Sequence, residues 1–211
     1  MFYLEPHRRH PVVEVMTSSP DPGPVSEALP DEAAWIDRAQ RGDEDAFVTL
    51  AEHYHGRLWA TASRYARSRP ELEDLVQDLT IKIWRGLGSY RSDAPFEHWL
   101  MRVAVRGCYD FLRKHRRRRE TEVAEHPDRP DPADPTDSRF AERRDAWELC
   151  EQLLAELDPK DRVLITLLDL EERGVRETAK LTGWSESNVK VRAHRARKKM
   201  RIAFEELNLE R

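Results

Sequence analysis

The sequence predicts an all-α fold: two small helical domains joined by a flexible acidic linker, the second carrying a helix-turn-helix. Three observations carry this expectation. Apolar residues recur every three or four positions wherever the chain is periodic, and no stretch alternates as a half-buried strand does. Charged residues make up 36% of the chain, which calls for helices with wide solvated faces. Glycine is scarce, and most of the prolines fall within residues 1–30 and 127–135, leaving long stretches free for helix. At 211 residues and 39% hydrophobic content, the chain can hold two small domains, or one with tails.

Residues 1–30 contain six prolines and little periodicity. That composition disfavours a packed core and predicts a mostly disordered extension. His7 and His10 lie within it without the cysteine or carboxylate partners that would complete a metal site. From Asp31 the helical period begins. Trp35, Ile36 and Ala39 form one stripe, and Arg41-Gly42-Asp43 stops that helix and starts another. Phe47, Leu50, Ala51, Tyr54, Leu58, Ala62 and Tyr65 mark one face of the second helix. His53 and His55 point to different sides of it and read as surface or edge residues.

Pro70 opens a third helix over 71–87, with Leu72, Leu75, Val76, Leu79, Ile83 and Leu87 as its inner stripe. Glu73 and Asp74 near its start have two readings. They stabilise the helix against its own dipole, or they form a docking face for a basic or amphipathic partner helix. Exposure of Leu75 or Val76 beside them would favour docking. Residues 86–95 have the composition of a loop. A fourth helix follows over 96–114, with Phe96, Trp99, Leu100, Val103, Ala104, Phe111 and Leu112 inward and Arg102, Arg106, Arg113 and Lys114 outward. Aromatics beside a basic helix suit single-stranded nucleic acid, where bases stack on rings, and they equally suit an ordinary core. The small loop next to that helix offers a pocket for an unstacked base.

Residues 117–139, with prolines at 127, 130, 132 and 135, read as the linker, and the last domain spans 140–211. Phe140, Ala146, Trp147, Leu149, Cys150, Leu153, Leu154 and Leu157 give that domain its first apolar side. Asp158-Pro159 is an N-cap followed by a proline at the first helical position, and Val163, Leu164, Leu167, Leu168 and Leu170 form a supporting helix. The stretch 174–201 then reads as two short helices about a sharp turn. Ala179 is small where the helices cross, Gly183 can take the turn's positive φ, Ser185 can cap the second helix, and Val189 points back at the first. Lys190, Arg192, Arg195, Arg197, Lys198, Lys199 and Arg201 follow without an intervening acid. On charge alone this is a solvated basic helix; behind that turn it becomes a DNA-binding one.

The formal charge of −4 argues at first against a nucleic-acid partner. Its distribution reverses that. Residues 99–119 hold eight Lys/Arg against the single acid Asp110, whereas 120–139 hold seven acids against Arg129 and Arg139. Two basic surfaces joined by an acidic tether are the result. Cys108 and Cys150 sit far apart in helical patterns and read as small hydrophobes of a reduced, cytoplasmic protein. No apolar run approaches the roughly 18 residues of a membrane span. No catalytic or metal-ligating residue is expected, since no ligand pair has suitable spacing. The residues leave open a stand-alone helix-turn-helix regulator whose N-terminal helices sense or dimerise.

Three segments in order, LEDLVQDLTIKIW (72–84), FEHWLMRVAVRGCYDFLRK (96–114) and RETAKLTGWSESNVKVRAHRARKKMR (176–201), resemble the extracytoplasmic-function (group IV) sigma factors of bacterial RNA polymerase. The resemblance covers about 31–116, as a sigma-2-like domain, and 140–205, as a sigma-4-like one. It implies a non-enzymatic, cofactor-free subunit that binds core polymerase through its β′ and β subunits, directs it to promoter DNA and helps open the −10 region. Sequestration by an anti-sigma factor is the regulation it implies. Asp74, Leu75, Gln77 and Asp78 would grip the β′ coiled coil. Ser89, Tyr90, Arg91, Ser92 and Asp93 would capture a flipped −10 base, with Arg102, Arg106, Arg113 and Lys114 along that strand. Lys190, Val191 and His194 would enter the −35 major groove, while Asn188, Arg192 and Arg195 hold phosphates. Arg106 and Asn188 depart from the asparagine and threonine usual in the family.

Overall fold

The computed structural model describes residues 29–121 and 148–209, and every regular element among them is helical. The proline-rich extension up to residue 28, the linker residues 122–139, and Phe140, Ala146 and Trp147 lie outside the described residues. The chain divides into two compact units, 1–107 and 108–211.

The first unit begins with α1, Glu32–Gln40, and α2, Glu44–Ala62. The tripeptide between them does what its composition requires. Arg41 closes α1, Gly42 turns with φ 92°, and the Asp43 carboxylate accepts from the Ala46 N–H at 3.1 Å to cap α2. That backbone bond, with Arg38 beside it, holds the Asp43 carboxyl below its ordinary range. The Tyr54 hydroxyl donates to Glu32, tying α2 back to the start of α1.

Helix α3, Arg69–Gly86, starts two residues earlier than the proline suggested, because Ser68 caps it through the Glu71 N–H at 3.3 Å. The Glu71 carboxylate in return accepts from the Arg67 N–H at 2.9 Å. Helix α4, Phe96–Thr121, is 26 residues long. Its buried Leu100, Met101, Ala104 and Val105 join Phe47, Leu50, Leu58, Leu75, Leu79 and Ile83 in the core of this unit. Gly107 marks a close helix crossing. A Cβ built there would lie 2.2 Å from Leu79 Cδ2, so a larger residue fits only if the buried Leu79 side chain repacks.

His55 corrects the sequence reading. It is not an edge residue but 7% exposed, its ring 5.7 Å from Trp59 and its Nε2 without a hydrogen-bond partner. Burial pushes the imidazole below its ordinary value near 6.5, because charging it there forfeits hydration that nothing replaces.

The second unit takes in the end of α4 from Cys108, and after residue 121 the described residues resume in helix α5 (148–155). Helix α6, Pro159–Ile165, is capped by the Asp158 carboxylate, which accepts from the N–H groups of Lys160 and Asp161 at 2.9 and 3.1 Å. Its continuation differs from the single supporting helix expected. Thr166–Leu170 widens into a π-helical turn, closed by the Glu171 N–H on the Thr166 carbonyl. Helices α7, Val175–Thr182, and α8, Glu186–Leu209, flank Gly183, whose φ is 76°. Leu164, Ala179, Val189 and Ala193 share one buried cluster, which is the helix-turn-helix core the spacing predicted. Helix α8 is not short: it runs 24 residues, past the basic stretch and through Glu205 and Glu206.

Two outcomes follow. Gly107→Ala should cost about 1–3 kcal/mol of stability through overpacking, seen as a lowered melting temperature. For His55, stability is complete above the unfolded value near 6.5 and is lost as pH falls through the depressed folded value. Thermal scans from pH 8 to 5 should therefore show an acid-side loss that His55→Leu flattens.

Candidate nucleic-acid interfaces

The α8 surface is sorted by what lies opposite each cation. Ser185 Oγ accepts from the Asn188 N–H at 3.2 Å, starting the helix where the sequence suggested. Val189, Ala193 and Ala196 face inward. Arg192, read from the sequence as a phosphate contact, is instead tied inward. One guanidinium nitrogen lies 2.6 Å from Asp161 and 3.4 Å from Asp158, and the group sits 5.4 Å over the Trp184 ring. Burial and the neighbouring Asp158 charge raise the Asp161 carboxyl. Burial would raise Asp158 as well, but its backbone and side-chain hydrogen bonds and Arg192 bring it below its ordinary range. Arg197 is likewise engaged, forming a two-pronged pair with Asp169 at 2.6 and 3.0 Å, which raises its own proton affinity.

Lys190, His194, Arg195, Lys198, Lys199 and Arg201 remain exposed, as does Asn188. Among them stands Val191, 50% exposed, one of four large hydrophobics that the described residues leave open to solvent. A row of cations around an aliphatic side chain at the front of a capped helix can follow phosphates while touching an apolar base edge such as a thymine methyl.

In the first unit, the loop after α3 opens with a 3-10 turn, Leu87–Ser89. Ser89 and residues 91–94 are exposed, whereas Tyr90 is half-buried. The Tyr90 ring packs edge-on to Phe96 at 5.2 Å and lies 5.7 Å from Trp99. Its hydroxyl donates to the Ala94 carbonyl at 2.8 Å, closing the far end of the loop. Ser92 adopts φ 58°, a conformation uncommon outside glycine. Two aromatics whose role the sequence left open resolve differently: Phe96 is core, and Trp99 is half-buried beneath the loop. Sequence reasoning passed over Gln40, whose Nε2 donates to the carbonyls of Leu87 and Tyr90 at 3.0 and 2.8 Å. On α4, Arg102, Arg106, Arg113 and Lys114 are all exposed.

On α3, Asp74 and Asp78 are exposed, Gln77 is half-buried, and Glu73 pairs with Arg69 at 2.9 Å. Leu75 does not belong to that surface. It is 1% exposed and Val76 is fully buried, because both fall on the inner stripe of α3, so the apolar exposure that would favour a docking face is absent. Among the described residues no helix is long and apolar enough to cross a membrane, and no three His, Cys, Asp or Glu gather as metal ligands.

Residues 50–118 match the family model of sigma-70 region 2, and 148–200 match that of sigma-70 region 4. Together they define the class, a sigma-70-type transcription initiation factor. The ECF RNA polymerase sigma factor SigM of Mycobacterium tuberculosis (strain H37Rv) is 30% identical over 159 residues, 75% of this chain and 77% of that one. The ECF RNA polymerase sigma-E factor of Escherichia coli (strain K12) is 38% identical over 88 residues, 42% of this chain and 45% of its own. The chain belongs to the extracytoplasmic-function RNA polymerase sigma factors. A chain in the structure of CnrH in complex with the cytosolic domain of CnrY has a TM-score of 0.52 to it at 24% identity, covering 82% of this chain and 97% of that one, a likeness of fold.

The sorting of cations on α8 separates two arginines experimentally. Arg195→Ala should weaken DNA binding and reduce the slope of log affinity against log salt by about 1. Arg192→Ala should leave that slope unchanged and lower stability by about 1–3 kcal/mol, since it strands the buried Asp161 carboxylate.

Proposed function

We propose that this sigma factor directs core polymerase to two-part promoters, with the sigma-2-like domain at 31–116 on the −10 element and the sigma-4-like domain at 140–211 on the −35 element. Lys190, Val191 and His194 read base edges in the −35 major groove, while Asn188 and Arg195 hold phosphates. Arg192 sets the attitude of α8 from behind. The loop Ser89–Asp93 receives an unpaired −10 base, and Arg102, Arg106, Arg113 and Lys114 follow the strand that carries it. Asp74, Gln77 and Asp78 form the docking face for polymerase, with Leu75 supporting them from the core. Both carboxylates face outward, so charge carries this contact. Phosphodiester chemistry remains with the polymerase. Its work is in the cytoplasm, and an anti-sigma protein holding these faces restrains it.

The observation that carries this reading is the division of labour on α8: Arg192 pairs with the buried Asp161 and Arg197 with Asp169 at the surface, and the other cations surround one exposed aliphatic residue. Each basic surface offers only a handful of phosphate contacts, so free protein should bind promoter DNA weakly and acquire its grip from the polymerase.

Reconstitution with core polymerase, followed by mapping of transcript 5′ ends, tests the proposal. Initiation at a defined set of promoters is expected. Reversing both Asp74 and Asp78 to lysine should reduce that initiation at least tenfold while leaving the melting temperature unchanged, since both carboxylates are exposed. Tight DNA binding without polymerase, and no initiation with it, would overturn the reading.

A further inference from the structure

Gln40 ends α1, ahead of residue 50 where the family match begins, and no motif directs attention to it. Its position is nevertheless fixed from several sides. Ile36 and Ala39 bury the preceding turn of α1 in the core. Arg41 and Gly42 turn the chain sharply after it, with N–H groups on the Arg38 and Ala39 carbonyls at 3.0 Å each. The side chain therefore leaves a helix end that cannot easily shift. A glutamine amide nitrogen carries two hydrogens, and both are used. One goes to the Leu87 carbonyl and one to the Tyr90 carbonyl, at the two ends of the 3-10 turn.

Those two carbonyls belong to the near end of the exposed loop. Its far end is closed by the Tyr90 hydroxyl on Ala94, and the Tyr90 ring is wedged against Phe96 and Trp99. The segment 91–94 is thus held at both ends in a conformation that includes a strained Ser92. A loop that already has its bound shape loses less conformational entropy on capturing a ligand. With the amide gone, the turn keeps its Tyr90 N–H to Leu87 bond and the Ser89 hydroxyl on the Gly86 carbonyl, but the Tyr90 carbonyl loses its partner.

We propose that Gln40 is a positioning residue for base capture: by holding the Leu87 and Tyr90 carbonyls, it presets the loop at 89–94 to receive an unpaired base. This rests on the reading of that loop given above and deepens it. Gln40 touches no nucleotide; it acts through the loop backbone.

The test uses holoenzyme on a promoter found by start-site mapping. Gln40→Ala and Gln40→Glu are compared with wild type; the second keeps length and helix propensity but faces the two carbonyls with a carboxylate. Three quantities are read: permanganate reactivity of unpaired −10 thymines, the penalty for replacing each −10 base in turn, and affinity for core polymerase. Both variants should lower the open-complex fraction roughly tenfold, as expected for two lost hydrogen bonds. The penalty at the captured base should shrink toward unity, while core affinity stays at the wild-type level. A general loss of stability would not flatten one base position selectively. Unchanged opening and an unchanged base penalty in Gln40→Glu would overturn the proposal, as would a defect matched by an equal fall in core affinity. Wild-type holoenzyme that initiates nowhere would instead overturn the function proposed above, and this inference with it.

Discussion

A helix dense in cations is stable only if some of its charge is answered from within, and this constraint organises the second unit. Arg192 meets Asp158 and Asp161, and Arg197 meets Asp169, so two cations of α8 hold the helix to α6 and the π-helical turn behind it. The same carboxylates have structural duties of their own. Asp158 caps α6 through two backbone N–H groups while lying 3.4 Å from Arg192. The cap that starts the supporting helix and part of the contact that orients α8 are therefore one residue. The exposed cations outside these two pairs are the part of the charge that a phosphate backbone can use. Fixing the helix from behind also keeps its exposed side chains free of the entropy that a mobile helix would lose on binding.

The fold was largely legible because its signals are local. Gly183 at positive φ, Ser185 as cap, Asp158 before Pro159 and the Arg41-Gly42-Asp43 break each act within a few residues, and each stands where the spacing put it. Apolar periodicity placed the core stripes of α2 and α3 for the same reason. What escaped detection depends on residues far apart in the chain. The pairing of Arg192 with Asp161, and that of Arg197 with Asp169 across 28 positions, cannot be read from a charge run; from sequence alone every cation on α8 looked equally available. Gln40 lies 50 positions from Tyr90, and an isolated glutamine at a helix end carries no pattern at all. His55 failed differently. Its polarity suggested an edge, but it is buried with its ring against Trp59, and neighbouring bulk is not visible in periodicity. Leu75 shows that a motif can mix two kinds of residue: the acids around it face out while it faces in.

The two candidate DNA surfaces differ in how they can tell one sequence from another. Cations of α8 and α4 that hold phosphates carry no sequence information directly. On the proposed reading, discrimination comes from the groups that reach bases: Lys190, Val191 and His194 on α8, and the backbone and side chains of the loop at 89–94. These groups contribute little affinity each, so their geometry has to be held in advance rather than formed on contact. The structure supplies that rigidity by different means in each unit, through ion pairs behind α8 and through an amide and a phenol around the loop. The ion pairs are partly exposed and weaken with salt, whereas the neutral hydrogen bonds do not. Rising salt should therefore loosen attachment to duplex DNA sooner than it loosens the shape of the loop. A protein whose grip is electrostatic but whose base-reading groups are held in advance can lose affinity without losing its choice of sequence, provided a larger assembly keeps it in place.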